Sequence, residues 1–502
     1  MDKDNAMYAA YSALHFSDFP WLSLLLVILP VGAALTLVVP ESKARLMALT
    51  THLLVLAVTV IIAVNFDADL SGFQMVEKNP WISSLNIHYF IGIDGLSVLF
   101  LPAAALLFMM VTLSSWNNIQ TLRRSYFSLI LILEFAILGV FSALDTILFL
   151  FFWETTLIPL YFLLSLWGVG ANRRYAGMKY VLFMMTGGLP IAFAFVLLAI
   201  QPDGSYVFDY TQLVQVADDN PYQSIIFFLL LFGFGIKTPL FPMHTWLPVL
   251  AQEGHPGTIA TLVGIKLGAY GLLRFTVPMA PDAAHTYQWL LIGLGITGVV
   301  YGAVAALSQT NIRRMLAFSS LSHVGMVVLG IATFSIQGIQ GAVFQLLNLT
   351  MVAGGLFLLS GFLLQCIGST DIISLGGVAK TMPLLTSFFF FLGLANMGVP
   401  GTSTFPAEFL IIISALNSYT GVGLAALFGV ILGAAYFLGI FRKAFLGECR
   451  NDIIADAVDL KPRELFIAFV MSALVLIVGL YPQLILGVIE KSSMDWLGVI
   501  TR

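Results

Sequence analysis

Residues 224–250 read SIIFFLLLFGFGIKTPLFPMHTWLPVL. The stretch is long and apolar enough to cross a bilayer, which takes roughly 20 residues, but Lys237, Pro239 and Pro242 interrupt its middle. Proline removes a helix donor and clashes with the preceding turn, and a freed backbone at membrane depth is tolerated only inside protein or along a wet cavity. The stretch therefore predicts a broken helix that lines a polar interior. A plain proline kink is the alternative for this segment alone.

A second long apolar segment, residues 382–415, has the same character. Gly398-Val-Pro400-Gly401 lies near its centre and Pro406 follows. Two broken helices in the two halves of one chain are the pattern of an inverted-repeat transporter. The pair of segments therefore favours a broken helix over a simple kink in each.

The composition excludes other classes of protein. Of the 502 residues, 59% are hydrophobic and 10% are charged, whereas a soluble domain is roughly 25% charged. The net charge of −4 without a basic stripe excludes a nucleic-acid binder. Cys366 and Cys449 form no metal or haem motif, and no nucleotide motif is present. We expect an all-α polytopic membrane protein with no cofactor of its own.

Hydropathy predicts fourteen membrane spans. Their approximate bounds are 21–39, 45–64, 91–114, 125–144, 147–167, 178–200, 224–250, 257–278, 287–307, 312–334, 338–366, 382–415, 418–440 and 464–485. Residues 1–20 then form an N-terminal segment outside the membrane, and residues 21–502 form one membrane domain.

The distribution of Lys and Arg predicts the orientation. Fifteen basic residues fall in the odd-numbered loops and five on the other side, so the odd-numbered loops are predicted to be cytoplasmic. Both termini are then extracytoplasmic, and Asp203, Asp209, Asp218 and Asp219 fall in one outer loop. The two remaining basic residues, Lys237 and Lys266, lie inside spans.

Several ionisable side chains are predicted to lie inside the membrane, where a charge at the centre costs about 2.5–3.5 kcal/mol on insertion scales. They are Glu134, Glu154, Lys237, Lys266, His323 and Glu408. Each has a structural alternative, namely an ion pair that holds helices together or a hydrogen-bonded core histidine. This alternative carries the most weight for Glu134, for His323 taken alone, and for His244 and His255 at the end of the broken seventh span.

Taken together, these residues favour proton transfer over structural pairing. Two carboxylates, two lysines and a histidine lie in five separate spans, and a chain of groups that exchange protons explains why their cost is tolerated. In this hypothesis Glu154 and Lys237 form a switchable pair. Lys266 and His323 relay the proton along the membrane plane, and Glu408 offers an exit.

With these residues the chain resembles the antiporter-like subunits of respiratory complex I, the proton-translocating NADH:quinone oxidoreductase. The resemblance is to the M type, which is called subunit 4 in mitochondria. The resemblance covers residues from about 20 to 490. Its motifs are Ile93–Ser97, Phe152–Pro159, Lys237–Pro248, Lys266–Arg274, Ser319–Gly325 and Gly398–Phe409. Asp94 and His244 lie within these motifs and are secondary site candidates. The lack of a long helix after the last predicted span favours the M type.

The resemblance implies two inverted five-helix repeats, about residues 125–278 and 287–440. It implies that Glu154 and Lys237 are the switching pair, Lys266 the central relay and Glu408 the terminal group. It also implies a bacterial inner membrane, neighbouring antiporter-like subunits, and NADH, FMN, iron–sulfur clusters and quinone on partner subunits.

One position departs from the family pattern. Many members have a histidine in the eleventh span where this chain has Leu349, between Asn348 and Thr350. The relay from Lys266 to Glu408 then has one group fewer, which is typical of a divergent branch.

The resemblance leaves a second functional class open. Cation/proton antiporter complexes, membrane-bound hydrogenases and inorganic-carbon uptake complexes use the same fold and the same buried charges. A purely structural membrane scaffold is a third alternative, and it leaves Lys237 and Lys266 unexplained.

Overall fold

The computed structural model describes residues 19–201, 204–218, 220–449 and 452–501. Most of the predicted N-terminal segment, residues 1–18, lies outside the described residues. So do the loop charges Asp203, Asp219 and Arg450 and the terminal Arg502.

The first part of the chain contains eight helices and one hairpin within the described residues. In order they are α1 (Trp21–Val38), α2 (Glu41–Val64), β1 (Gln74–Ile82), β2 (Ile87–Ile93), α3 (Phe100–Ser114), α4 (Arg123–Ser142), α5 (Thr146–Thr155), α6 (Leu157–Trp167), α7 (Arg173–Ala199) and α8 (Tyr210–Gln215).

The rest of the described chain is helical. The helices are α9 (Gln223–Lys237), α10 (Trp246–Glu253), α11 (Pro256–Gly264), α12 (Leu267–Gly271), α13 (Pro281–Thr286), α14 (Gln288–Leu307), α15 (Ile312–Ala332), α16 (Ile336–Ile367), α17 (Val378–Thr381), α18 (Pro383–Asn396), α19 (Thr404–Ser418), α20 (Thr420–Phe445), α21 (Asp452–Ala455), α22 (Pro462–Leu480) and α23 (Gln483–Ile500), with a π-helical turn at Leu272–Thr276 after α12.

Eleven helical segments of the described chain are long and apolar enough to cross a membrane, and α3, α9, α18 and α19 are shorter apolar helices. The segments differ sharply in burial. The most apolar windows of α15 and α16 are 100% and 94% buried, whereas those of α1, α2, α7, α14, α20 and α22 are each 39% buried. The peripheral helices thus expose large apolar side chains, such as Leu189 on α7, which is how a protein dissolved in lipid is built.

A two-stranded antiparallel hairpin, β1–β2, adds a small sheet to the predicted all-helical fold. The predicted third span starts at residue 91, but residues 87–93 pair as β2 and the helix starts only at Phe100. Nine-residue and seven-residue strands are too short to be recognised by hydropathy beside an apolar helix. Lys78 of β1 pairs with Asp209 at 2.7 Å, so the hairpin packs beside α8. We call this end of the bundle the hairpin face.

The other end, which we call the opposite face, collects the connections that follow α1, α3, α6, α14 and α16. Arg45 at the start of α2 donates to the carbonyl oxygen of Trp116 at 3.3 Å. The connection after α6 joins the end of α10, where Gly170 N donates to the carbonyl oxygen of Glu253 at 2.9 Å. Asn311 before α15 forms a β-bridge with Asp371 after α16.

Both predicted helix breaks are present. Helix α9 ends at Lys237 and α10 begins at Trp246, whereas α18 ends at Asn396 and α19 begins at Thr404. The eighth predicted span contains a third break, which the sequence did not reveal. Helix α11 ends at Gly264 and α12 begins at Leu267, so Ile265 and Lys266 are not helical. A further 18-residue helix, α23, follows α22 and lies along the hairpin face, where Trp496 Nε1 donates to the carbonyl oxygen of Leu273 at 2.8 Å.

Candidate functional site

Lys237 ends the first half of the broken helix. Its Nζ donates to Thr156 Oγ1 at 2.8 Å and lies 3.9 Å from the centre of the Trp153 ring. The break frees the carbonyl oxygen of Ile236, which accepts a hydrogen bond from Trp246 Nε1 at 3.0 Å. The indole of α10 therefore replaces the helical partner Leu240 N, which donates to the carbonyl oxygen of Gly235 at 2.8 Å instead. This holds the end of α9, and the lysine with it, at a fixed place.

Glu154 lies two residues before Thr156, at the end of α5. Among the ion pairs of the described residues with N···O distances up to 4.0 Å, none joins Glu154 to Lys237. The Glu154 carboxylate lies instead against Gly188 of α7, where an added Cβ would collide with Oε1. The two members of the predicted switching pair therefore flank the same turn, and Lys237 is held by the threonine and the tryptophan.

Lys266 occupies the third break. It is 5% exposed, and its ammonium group has no hydrogen-bond or ion-pair partner in the described part of the chain. An unpaired buried ammonium is energetically expensive, so Lys266 adds nothing to the stability of the fold through this group. The glycines on either side, Gly264 and Gly268, are the signal in the sequence for this break, because glycine disfavours a helix interior.

The first and third breaks touch. A Cβ at Gly268 would collide with the backbone nitrogen of Thr238, the residue after Lys237. A cavity of about 30 Å³ lies beside this contact, lined among others by Thr156, Lys237, Ile265 and Leu267. A space of roughly 10–15 Å³ is enough for one water. The two lysines thus lie on either side of a contact with room for water.

The second half of the chain has a different arrangement. His323 Nδ1 on α15 lies 3.0 Å from Glu408 Oε1 on α19. Gly398 in the second break has a φ of +72°, and an added Cβ would lie 2.7 Å from Glu408 Oε2, so glycine is required there for both conformation and space. The other ring nitrogen of His323 is buried without a partner. It lies beside a cavity of about 10 Å³ that Asn396 and Tyr436 also line.

Two side-chain amides of α16, those of Gln345 and Asn348, lie close to Leu349 in the chain. Gln345 Nε2 lies 3.3 Å from His323 Nδ1, and Asn348 Nδ2 donates to Thr404 Oγ1 at 2.7 Å. Ser403 also hydrogen-bonds to Asn348. Closer to the first half, Thr350 Oγ1 donates to the carbonyl oxygen of Gly264 at 3.3 Å. Polar groups of one helix therefore extend from the Lys266 break to His323, where the sequence indicated a gap.

The secondary candidates are placed in three separate environments. Asp94 forms a two-point ion pair with Arg274 of the π-helical turn, with N···O distances of 2.5 and 2.7 Å. His244 packs against the rings of Phe241 and Tyr301. Its Nδ1 is buried without a partner.

Glu134 is the third secondary candidate. It pairs with His52 of α2 at 2.6 Å, and both side chains are fully buried. The sequence interpretation did not include His52. Its signal was a histidine in the middle of the second predicted span.

A large cavity opens at the opposite face, between the two halves of the chain. Its volume is about 950 Å³, and His255, Glu253 and Arg313 lie among its lining residues. His255 Nδ1 lies 3.4 Å from the hydroxyl of Tyr126. His255 directly precedes α11, and Thr258 and Thr261 follow it at intervals of three residues, so Thr258 and Thr261 are neighbours on the surface of that helix. Thr261 lines the cavity that contains Lys237.

Comparison with known proteins gives a consistent picture. Residues 143–433 match a family model described as NADH:quinone oxidoreductase/Mrp antiporter, TM. The chain is 32% identical to NADH-quinone oxidoreductase subunit M of Rhodobacter capsulatus, covering 93% of this chain and 94% of that protein.

Two solved structures show the same fold. One is respiratory complex I from Thermus thermophilus with bound NADH, with a TM-score of 0.86, 30% identity and coverage of 95% of this chain and 99% of that chain. The other is the Mrp complex from Dietzia sp., with a TM-score of 0.85, 20% identity and coverage of 97% and 100%. At 20% identity the second match supports the fold alone. The chain belongs to the NADH:quinone oxidoreductase/Mrp antiporter transmembrane family.

Proposed function

We propose that the chain is a proton-translocating membrane-arm subunit of an NADH:quinone oxidoreductase of the complex I type. The observation that carries this proposal is a pair of lysines, the partly buried Lys237 and the buried Lys266, at two touching helix breaks beside a water-sized cavity. Neither ammonium is neutralised by a contacting carboxylate in the described residues. A helix bundle gains nothing in stability from such groups, whereas a proton relay needs them.

The relay runs along the membrane plane. Glu154 and Lys237 switch between a state in which the lysine contacts the carboxylate and the state described above, in which it is held by Thr156 and Trp153. Lys266 receives the proton across the cavity, the amides of α16 and bound water pass it to His323, and Glu408 releases it. The His323–Glu408 contact of 3.0 Å supports the last of these steps.

We further propose fourteen crossings in two inverted repeats, residues 125–278 and 287–440, within one membrane domain of residues 21–502. The short helices support this count, because α9 with α10 and α18 with α19 each meet end to end at a break. Together with α3 and the eleven long segments they supply fourteen passages. One broken helix in each proposed repeat supports the inverted arrangement.

The opposite face is cytoplasmic in this proposal, and the termini are extracytoplasmic, in the inner membrane of a bacterium. The basic residues of the odd-numbered loops support this orientation. The 950 Å³ cavity then faces the cytoplasm, and the stripe from His255 through Thr258 to Thr261 leads from it toward the lysines. Protons would enter the first half along that stripe.

Electron transfer takes place elsewhere in the complex. NADH, FMN, iron–sulfur clusters and quinone are expected on partner subunits. In the described chain no group of three His, Cys, Asp or Glu side chains is arranged to hold a metal ion. The apolar outer surfaces of α7 and α20 are suited to lipid and to neighbouring antiporter-like subunits. Identities of at least 30% to quinone oxidoreductase subunits favour this assembly over an antiporter complex.

Substitution of the switching pair tests the proposal. In the assembled complex, reconstituted in vesicles, Lys237→Ala and Glu154→Ala should each lower the proton-to-electron ratio sharply while quinone reduction and the subunit composition are retained. Lys380→Ala, at the end of the short helix α17, is the matched control because this lysine lies outside the spans. A normal proton-to-electron ratio in either relay variant would refute the assignment.

Co-purification separates the two functional classes. Purification of the complex through this subunit should yield flavin-containing and iron–sulfur subunits. Recovery of an antiporter assembly without them would favour the alternative, transport driven by an ion gradient alone.

A further inference from the structure

A carboxylate–histidine pair lies outside the relay described above. His52 Nδ1 of α2 and Glu134 Oε2 of α4 are 2.6 Å apart, and both side chains are 0% exposed. The second ring nitrogen, Nε2, lies 2.9 Å from Thr112 Oγ1 of α3. The second carboxylate oxygen, Glu134 Oε1, is buried without a hydrogen-bond partner. Three neighbouring helices thus each contribute one polar side chain to a buried cluster.

The cluster lies near the middle of the membrane. Helix α2 begins at Glu41 and α4 begins at Arg123, both at the opposite face. His52 and Glu134 are each eleven residues beyond these starts, or about 17 Å at 1.5 Å per residue. The hydrocarbon core is about 30 Å thick. Neither side chain is therefore placed to reach an aqueous boundary.

Within the described residues, no other Asp, Glu, Lys or Arg forms an ion pair or hydrogen bond with the cluster. Helices α1, α3 and α6 contain no Asp, Glu, Lys or Arg. Those of α2 and α4, apart from Glu134, lie in their first turns at the opposite face. Helix α5 contributes only Glu154, which faces α7. The charge of the cluster is therefore set by the number of protons that His52 and Glu134 hold between them.

Two charge states satisfy the hydrogen bonds of the cluster. In the first state, the pair holds the one proton of a neutral imidazole and a second proton that His52 and Glu134 share. The pair is then neutral overall, and His52 donates from Nε2 to the Thr112 hydroxyl. After loss of that proton the pair has a charge of −1, and the hydroxyl turns to donate to Nε2. A threonine hydroxyl both donates and accepts, so Thr112 fits both states without movement of the backbone. The proton that differs between the two states is shared across the 2.6 Å contact, and the water-sized cavity lined by Leu133 and Ile137 is the route by which it would enter and leave.

The cluster is also adjacent to the relay. Leu133 and Ile137, the residue before Glu134 and the residue one turn after it, line the cavity that contains Lys237. Side chains three positions apart on a helix have Cβ atoms about 5–6 Å apart. A change of one charge at Glu134 therefore acts on Lys237 through a low-dielectric medium, where charges interact strongly.

From these contacts we propose that His52, Glu134 and Thr112 form an additional proton-binding site, which loads and unloads one proton and thereby biases the charge of Lys237. This inference rests on the proposed proton-translocating function for its role, although proton binding at the cluster is measurable by itself. The loaded cluster favours a charged Lys237 less than the unloaded cluster does, because only the unloaded cluster is negative. The site thus adds His52, which has no role in the relay proposed above, to the groups that control proton transfer.

Infrared difference spectroscopy of the whole complex tests proton binding directly. A pH change should produce a carbonyl band of a protonated carboxylic acid that is absent in Glu134→Gln and altered in His52→Gln. The band should persist in Glu154→Gln, which removes a different carboxylate. A pH-independent Glu134, with no band assignable to it across the stable pH range, would overturn the inference.

Proton pumping tests the role. Glu134→Gln should move the pH of half-maximal pumping by about one unit, the scale of interacting sites, and should lower pumping less than Glu154→Ala does. Glu134→Asp should restore the profile in part. The matched control is Thr59→Val on α2, because that hydroxyl bonds only to its own helix, at 2.9 Å from the carbonyl oxygen of Leu56. A wild-type pH profile in Glu134→Gln would show that the pair only holds helices together.

Two outcomes separate this inference from the proposed function. A titrating Glu134 band in a complex that does not pump would leave the proton-binding site standing and refute the proposed function. Normal pumping with no such band would do the reverse. If Glu134→Gln does not assemble, Thr112→Val replaces it, since the hydroxyl completes both charge states, and an unchanged band and pH profile in that variant would refute the inference.

Discussion

The two halves of the chain hold the groups of the proposed relay in opposite ways. In the first half, Lys237 contacts only a hydroxyl and an aromatic ring, and Lys266 contacts no polar partner among the described residues. In the second half, Glu408 contacts His323, and Gln345 extends that contact to the amides of α16. Unpaired ammonium groups destabilise the folded chain, whereas a hydrogen-bonded pair largely compensates its own burial. The first half therefore has an uncompensated electrostatic cost of burying its lysines, and the second half does not.

This difference gives each half its own relation between stability and function. A substitution that removes a lysine of the first half should impair transport and stabilise the fold. A substitution that breaks the network of the second half should impair both. The following variants test that contrast, beginning with the largest expected effect.

Lys266→Met is expected to have the largest effect. Loss of the only ionisable group at the third break should lower proton pumping by at least about tenfold, since a positioned proton-transfer group contributes roughly 10²–10⁴-fold. The melting temperature of the complex should rise, because an unpaired buried charge is replaced by an apolar chain of similar length. Pumping in vesicles and thermal unfolding measure the two effects.

Thr276→Val is the control for this variant. Thr276 lies on the same predicted span and its buried hydroxyl has no partner, so its loss should leave pumping unchanged. A lower melting temperature in Lys266→Met would contradict the inference that the unpaired lysine destabilises the first half.

Asn348→Leu is expected to have an intermediate effect in the second half. The substitution leaves Thr404 and Ser403 without their amide partner, and an unsatisfied buried polar group costs about 1–3 kcal/mol. The complex should therefore melt at a lower temperature, and pumping should fall by about two- to tenfold if the amides pass protons toward His323.

Ser360→Ala on the same helix is its control, because that hydroxyl bonds only to the carbonyl oxygen of Phe357 at 2.7 Å. Unchanged pumping in Asn348→Leu, together with reduced stability, would limit the amides to a structural role.

Leu349→His is expected to have the smallest effect. It introduces the histidine that the family resemblance predicts in the eleventh span, but Leu349 is 1% exposed and belongs to the apolar core. Pumping should stay within about twofold of wild type, and stability should fall because a polar ring is buried. Leu349→Phe supplies a ring of similar size that does not titrate. A large gain in pumping with histidine and not with phenylalanine would show that the amide path is a poor substitute.

Local sequence was sufficient where proline or an unusual charge marked the chain. Pro239, Pro242 and Pro400 predicted two of the three breaks, and the intramembrane charges were found because each is rare in an apolar run. Hydropathy also located the long spans. These features depend on residues within one helix, so a single sequence contains them.

Features that depend on distant parts of the chain were not accessible in the same way. The partner of Glu134 is 82 residues away, and no periodicity joins His52 to it. The break at Lys266 contains no proline, and two glycines four residues apart are common in membrane helices that pack closely. The hydrogen bond between Lys237 and Thr156 joins residues that are 81 positions apart, so local sequence does not contain it either.

The backbone at the hairpin face has a mechanical consequence for Glu154. Leu144 N donates to the carbonyl oxygen of Phe90 at 2.8 Å, Tyr210 N donates to that of Leu144 at 2.8 Å, and the side chain of Asp145 caps α5. The start of α5 is thus hydrogen-bonded to both the hairpin and the α8 segment. Glu154 lies nine residues further on, about 14 Å along a continuous helix, and the helix ends directly after it at Thr155. Helix α5 is therefore a short, rigid connection between the hairpin and Glu154. A displacement of the hairpin would move the Glu154 carboxylate with it.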